Sequence, residues 1–189
     1  MALSSPSLYL GDDERDYVNR HNGHSLNVQV TCDFNNMITS LDAKWAGSVH
    51  DSYFYGVHTL PETAAVHYFS GVLLGDRGYA LHPFLMSPYA DPEPGPQMLL
   101  STDHNKTRVK IENTFALLKA HFNSLCRLRV ARDRACNIIA ACCVLHNIAT
   151  IRRERESTIN PQPPDVVDPI TLDYPTGRAV REAITELFQ

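Results

Sequence analysis

No stretch of this 189-residue chain comes near the roughly 18 consecutive apolar residues a membrane-spanning helix needs. Met1 to Leu10 has no basic start and only a broken apolar stretch, so it does not read as a secretory leader. Zinc-ligand spacing and C-x-x-C pairs are absent. The five cysteines (Cys32, Cys126, Cys136, Cys142, Cys143) are odd in number, and two are adjacent in an apolar run. They read as small buried hydrophobes of a reducing, intracellular compartment rather than a disulfide framework. Neither internal repeats nor low-complexity tracts occur. The composition is 43% hydrophobic and 20% charged, which excludes a coiled coil, a collagen-like repeat and wholesale disorder. One core-bearing domain is the default for this length.

The net charge of −4 conceals an asymmetry. Residues 1–100 carry 4 Lys/Arg against 11 Asp/Glu, residues 101–155 carry 11 against 4, and residues 156–189 carry 2 against 6. An acidic block beside a basic block suits carboxylate chemistry next to an anion-binding surface; a solvated basic helix pair explains the charge equally simply.

Hydrophobic periodicity sets the coarse architecture. Leu26, Val28 and Val30 alternate with Asn27, Gln29 and Thr31, which predicts a half-buried strand over His24–Cys32. Asp33 to Asn36 supplies a turn, and Met37–Trp45 can return as the second strand of a hairpin. His50–Leu60 fits a short helix. Gly71–Leu74 reads as a short buried strand, and Tyr79–Leu85 as a loop or short helix. Four prolines between Pro88 and Pro96 impose an extended loop. Ile111, Phe115, Leu118, Phe122 and Leu125 follow at steps of 4, 3, 4 and 3, one face of a helix capped by Thr102 or Asp103. A second helix covers about Arg134–Arg153, with Ile138, Ile139, Cys142, Leu145, Ile148 and Ala149 inward. A proline-containing linker spans Ser157–Pro169, and a short helix is expected over Arg178–Phe188. Strands first and helices later argue for a mixed α/β domain.

Three acids stand where solvation alone does not explain them. Asp76 emerges from an apolar strand in GDRGY, Glu112 follows core residue Ile111 on the long helix, and Asp51 lies just after the hairpin in GSVHDS. Converging from three elements, they would suit a hard divalent cation, which takes oxygen ligands and activates water in phosphoryl transfer. The plainer alternative is a set of turn residues and solvated charges, with Arg108 pairing Glu112 at i,i+4. His146, in an apolar helix, reads as a hydrogen-bonded core histidine, and Trp45 as core. His50 fits a structural residue or a proton shuttle.

In order along the chain, YVNRHNGHSLNVQVTCD, WAGSVHDS, LLGDRGYAL, PFLMSPY, RVKIENTFALLKAHF and IIAACCVLHNI resemble the Harbinger-type (PIF/Harbinger) DDE transposase domain over about residues 4–152, and in particular its domesticated vertebrate nuclease branch. Each motif alone is weak, but the ordered set is specific. The resemblance implies an RNase H-like fold with a carboxylate metal site. Its metal-ligand acid in GD-x-GY falls on Asp76, its helix glutamate on Glu112 after 35 intervening residues, and its HDS aspartate on Asp51. The family's first-strand aspartate, upstream of a proline that Pro6 resembles, has no counterpart in a chain beginning MALSSP. Asp33 is the ordinary aspartate ending the next strand. The resemblance therefore implies residues 1–155 as a DDE-type nuclease domain lacking its first strand, and 156–189 as a C-terminal extension. It implies Mg²⁺ or Mn²⁺ as cofactor and DNA as substrate, with hydrolysis of phosphodiesters rather than transposition. Lys106, Arg108, Lys110 and Lys119 would meet the DNA backbone. A Myb/SANT-like partner carrying DNA binding and nuclear import, and residence in nucleus and cytoplasm, are further implications. Losing one carboxylate cripples a two-metal site, so the competing expectation is a catalytically dead fragment serving as a DNA- or protein-binding module.

Overall fold

The computed structural model describes residues 5–6, 25–46, 71–126, 128, 130–154 and 173–188. The segments expected as the His50–Leu60 helix and the Ser157–Pro169 linker lie outside them. The architecture is mixed strand and helix in two compact units, Met1–Val49 with Lys110–Pro164 and His50–Val109 with Asp165–Gln189.

The first unit is built on an antiparallel sheet in which β2 (Ser25–Cys32) lies between β1 (Ser5–Pro6) and β3 (Ile38–Ala46). The hairpin predicted from the alternating pattern is present, with Val30 opposite Leu41 and Gln29 opposite Asp42. Its turn is made by Asp33, whose Oδ1 accepts the backbone N–H of Asn35 and of Met37 at 2.8 and 2.9 Å. Asn36 closes the turn at φ 62°, a conformation asparagine tolerates. β1 falls in a segment whose sequence shows no period; its Pro6 sits on an edge strand, where the missing N–H is harmless.

Helix α1 (Pro96–His121) contributes residues to both units and begins six residues before the expected cap at Thr102. Gly95, at φ 115°, turns the chain, and Pro96 is a ready first helical residue. Thr102 lies inside the helix, its hydroxyl donating back to the Met98 carbonyl at 2.8 Å. In the first unit, Phe115 and Leu118 of α1, and Leu125 of the 3-10 turn Asn123–Cys126, pack with Leu26, Val28 and Val30. Ile139, Cys142 and Cys143 of helix α2 (Arg132–Arg152) close this core.

α2 corrects the expected inward face. Leu145 and Ile148 point outward, 51% and 40% exposed. The inward line instead runs Ala135, Ile139, Cys142, His146. The helix is apolar nearly all round, so hydrophobic period could not select a face. Hydrogen bonds selected it. His146 Nε2 bonds the Asn36 carbonyl at 2.9 Å, and Asn147 clasps both backbone groups of Ile38. Asp133–Arg152 is the only helix among the described residues long and apolar enough to cross a membrane, and this inward line makes it the core helix of its unit. It ends with Arg153 at φ 52° and Glu154 N–H bonding the Ala149 carbonyl, a left-handed C-terminal cap.

The second unit holds a small parallel pair, β4 (Leu73–Leu74) and β5 (Leu85–Met86). The loop expected over Tyr79–Leu85 bends back by a His82–Leu85 turn and delivers β5, too short to leave a sequence pattern. Leu81, Met86 and Leu100 form its buried hydrophobic cluster. Helix α3 (Pro175–Glu186), expected from Arg178, starts three residues earlier with Pro175 in its first turn and places Ile184 against that core. Gly177 is buried where α3 meets the Leu81 backbone.

Candidate active site

Asp76 lies two residues past the end of β4, after Gly75, and is 6% exposed. One carboxylate oxygen, Oδ1, accepts the Gly78 N–H at 2.9 Å, an Asx turn that fixes the side chain. The other, Oδ2, lies 3.9 Å from Nη2 of Arg108 on α1, with both side chains largely buried. One helical turn earlier, His104 is 3% exposed, with Nε2 3.1 Å from the Met86 carbonyl. Burial pushes the His104 pKa below its ordinary value, against the raising effect of that hydrogen bond. A neutral imidazole that donates through Nε2 leaves Nδ1 with a lone pair, and Nδ1 is buried without a hydrogen-bond partner among the described residues.

Glu112 is half-buried, four residues after Arg108 on α1, and belongs to the first unit. Asp51 lies outside the described residues. Asp76 and Glu112 are thus placed each within its own unit. Among the described residues no three of His, Cys, Asp or Glu are grouped closely enough to hold a metal ion. The donor chemistry nevertheless fits a hard cation. Asp76 and Glu112 offer carboxylate oxygens only, and Asp76 Oδ2 already faces a positive group.

The basic residues divide by role. Lys106 pairs with Asp103 at 3.0 Å on the surface, a contact of little energetic weight. Lys110 sits 4.4 Å over the ring of Phe34 at the hairpin tip. Arg108 is held at Asp76, and Lys119 is half-buried. Asp33 spends its carboxylate on the hairpin turn and is exposed. All five cysteines are free thiols; burial, and secondarily Cys142, push Cys143 up to about 11. Cys142 and Cys143 are buried packing groups of the first unit's core.

Sequence reasoning passed over His104. Its signal is legible in retrospect: His104, Arg108 and Glu112 recur at steps of four, a polar stripe along one helix. It also passed over Asp42, buried on β3 opposite Gln29, whose Oδ1 has no partner among the described residues.

A buried aspartate just past a strand, with a basic and acidic stripe on the helix that follows, is compatible with an acid-bearing phosphoryl-transfer domain. The chain belongs to the DDE superfamily endonuclease family, whose model matches residues 3–147. It is 34% identical over 155 residues to the proteins named "Putative nuclease HARBI1" of Bos taurus and Homo sapiens, and 32% identical over 156 residues to that of Rattus norvegicus. In each case the match covers 79% of this chain and 43% of the relative. The chain therefore spans less than half the length of these curated relatives. No solved structure matches it.

Proposed function

We propose that this chain is a transposase-derived, divalent-metal-dependent nuclease domain of RNase H-like fold that hydrolyses DNA phosphodiester bonds. The observation that carries the reading is Asp76: a buried carboxylate at a strand end, locked by the Gly78 N–H and turned toward a cationic side chain. Membership of the DDE endonuclease family supports it.

In this reading Asp76, Glu112 and Asp51 hold Mg²⁺ or Mn²⁺. The ion supplies Lewis acidity at the phosphoryl oxygen and a more acidic water. The chain's own residues do the rest. The Asx turn keeps Asp76 from swinging into its loop, which lowers the entropic cost of ligation. Arg108 sets a positive charge 3.9 Å from Oδ2. His104, kept neutral by burial, adds no competing positive charge beside Asp76. Lys106, Lys110 and Lys119 extend the positive charge along α1 for the DNA backbone. Residues 1–155 carry catalysis, and 156–189 form a C-terminal extension. A Myb/SANT-like partner bringing DNA specificity, and residence in nucleus and cytoplasm, complete the proposal.

A second reading, a non-catalytic DNA- or protein-binding module, is favoured by one observation: the Arg108 guanidinium already balances the Asp76 charge. Plasmid nicking by the 189-residue chain separates the two. The nuclease reading expects nicking that requires Mg²⁺ or Mn²⁺ and disappears in Asp76→Ala. Nicking that survives Asp76→Ala, or none with either metal, overturns it.

A further inference from the structure

The second unit contains a cavity of about 290 Å³ lined chiefly by Arg77, Tyr79, Ser87, Tyr89, Asp173 and Arg181. Arg77 is the residue next to Asp76, and Arg181 comes from α3, beyond the residues matched by the family model. We infer that this cavity is a phosphate-binding pocket, completed by the C-terminal helix, that seats a phosphate group of nucleic acid beside Asp76.

The argument is one of unspent donors. A guanidinium has five N–H groups. Those of Arg181 are poorly used. Nη1 donates to the Ser87 carbonyl at 3.3 Å, beyond the usual range, and Nη2 stands 3.8 Å from Asp173 Oδ2. Nε is buried with no partner among the described residues. Leaving such a donor buried and unsatisfied is costly unless a ligand takes it. Yet the side chain is held firmly, its guanidinium carbon stacked 4.0 Å over the Tyr89 ring, whose hydroxyl is fixed to Thr185 at 3.0 Å. Arg77 is anchored by Nη2 to the carbonyls of Ala90 and Tyr89 at 3.0 and 3.3 Å. Two oriented guanidiniums in one cavity call for an acceptor-rich anion.

Phosphate matches that demand. Its tetrahedral oxygens accept the forked N–H pairs of arginine from several directions at once. Asp173, and Asp91 at the exposed side, also line the cavity. They oppose the anion, so Asp173 serves as the internal counter-charge that a phosphate displaces. That the phosphate belongs to nucleic acid rests on the nuclease reading above; the pocket's preference for phosphate does not.

The test needs neither metal nor cleavage. The full chain, in chelator-containing buffer, is titrated with inorganic phosphate by isothermal titration calorimetry, and in the wild-type chain the Arg181 Nε–H resonance is followed by NMR as well. Saturable binding is expected. Arg181→Lys keeps the charge but loses the fork, and Arg77→Gln removes the second guanidinium at an exposed position. Each is expected to weaken binding about tenfold or more, while Asp173→Asn tightens it. Competition by an oligonucleotide without terminal phosphate assigns the site to backbone phosphodiesters; competition by thymidine 5′-monophosphate alone assigns it to terminal phosphates and overturns the backbone source. Binding unchanged in both arginine variants, weakened in Asp173→Asn, or never saturable in the wild-type chain overturns the pocket. Loss of nicking with phosphate binding intact overturns only the nuclease reading.

Discussion

Arg108 holds its guanidinium 3.9 Å from the buried carboxylate of Asp76, tying helix α1 to the loop that closes β4. The contact keeps a desolvated charge compensated, and in the proposed nuclease reading a divalent cation would take over that role. Arg108→Ala leaves Asp76 uncompensated. It is expected to cost about 2 kcal/mol, low for a buried pair because the contact is long. Mg²⁺ should restore part of the loss. Thermal unfolding with and without Mg²⁺ measures this: a metal-induced rise in Tm larger in Arg108→Ala than in wild type is the predicted result, and equal rises count against metal binding at Asp76.

Acid weakens the fold through His104. Burial lowers its pKa below the ordinary 6.5. The unfolded chain therefore takes up a proton at a pH where the folded chain does not. The stability that neutral His104 contributes is complete above about 6.5 and declines as pH falls from there toward the lower folded pKa. Unfolding midpoints at successive pH values in His104→Gln should fall less steeply between pH 7 and 5 than in wild type. Parallel curves would place the acid sensitivity elsewhere.

The hairpin and the long helix were legible because each carries its own period. Leu26, Val28 and Val30 alternate, and Ile111 to Leu125 step by 4 and 3. The helix start was not legible, because the Gly95-Pro96 entry lies upstream of two plausible caps. Part of the α2 face was hidden for a different reason: His146 is inside and hydrogen-bonded, as expected, but Asn147 joins it in bonding the hairpin, while Leu145 and Ile148 turn outward. Asp76 could be picked out from an apolar strand ending in GDRGY. Its pairing with Arg108 could not, since a contact between a loop and a helix 32 residues later leaves no local pattern.

The outward placement of Leu145 and Ile148 has a direct consequence. Ile139→Ala removes a fully buried side chain and is expected to cost about 2–4 kcal/mol, whereas Ile148→Glu should change stability by under about 0.5 kcal/mol. Urea midpoints of the two variants decide it. A larger loss at position 148 would mean that face is covered.

Asn147 makes a stronger claim. Its Oδ1 accepts the Ile38 N–H and its Nδ2 donates to the Ile38 carbonyl, both at 2.8 Å, fixing α2 to the first residue of β3. Asn147→Leu removes both bonds and strands two backbone groups. The expected loss is about 2–3 kcal/mol. Hydrogen exchange gives the sharper readout, since the Ile38 amide should lose protection selectively. An Ile38 amide that exchanges as slowly as in wild type would refute the clasp.

Gly177 fixes where α3 can lie. A Cβ at this position would stand 2.7 Å from the Leu81 carbonyl oxygen and 2.9 Å from the His82 carbonyl carbon, and both obstacles are backbone. Neither can rotate away as a side-chain tip could. Gly177→Ala must therefore push α3 off the β5 loop, at about 1–3 kcal/mol, typical of overpacking. The first contact to go is the Tyr174 N–H bond to the Leu81 carbonyl at 3.1 Å, together with the Tyr174 ring stacked on His82 at a centroid distance of 4.2 Å. The displacement also carries Arg181 away from Ser87 and Asp173, so Gly177→Ala should weaken phosphate binding while every lining side chain stays unchanged. Hydrogen exchange at Tyr174 and a phosphate titration on the same sample report both effects. Faster exchange with undiminished phosphate affinity would separate α3 from the pocket and leave Arg77 as its determinant.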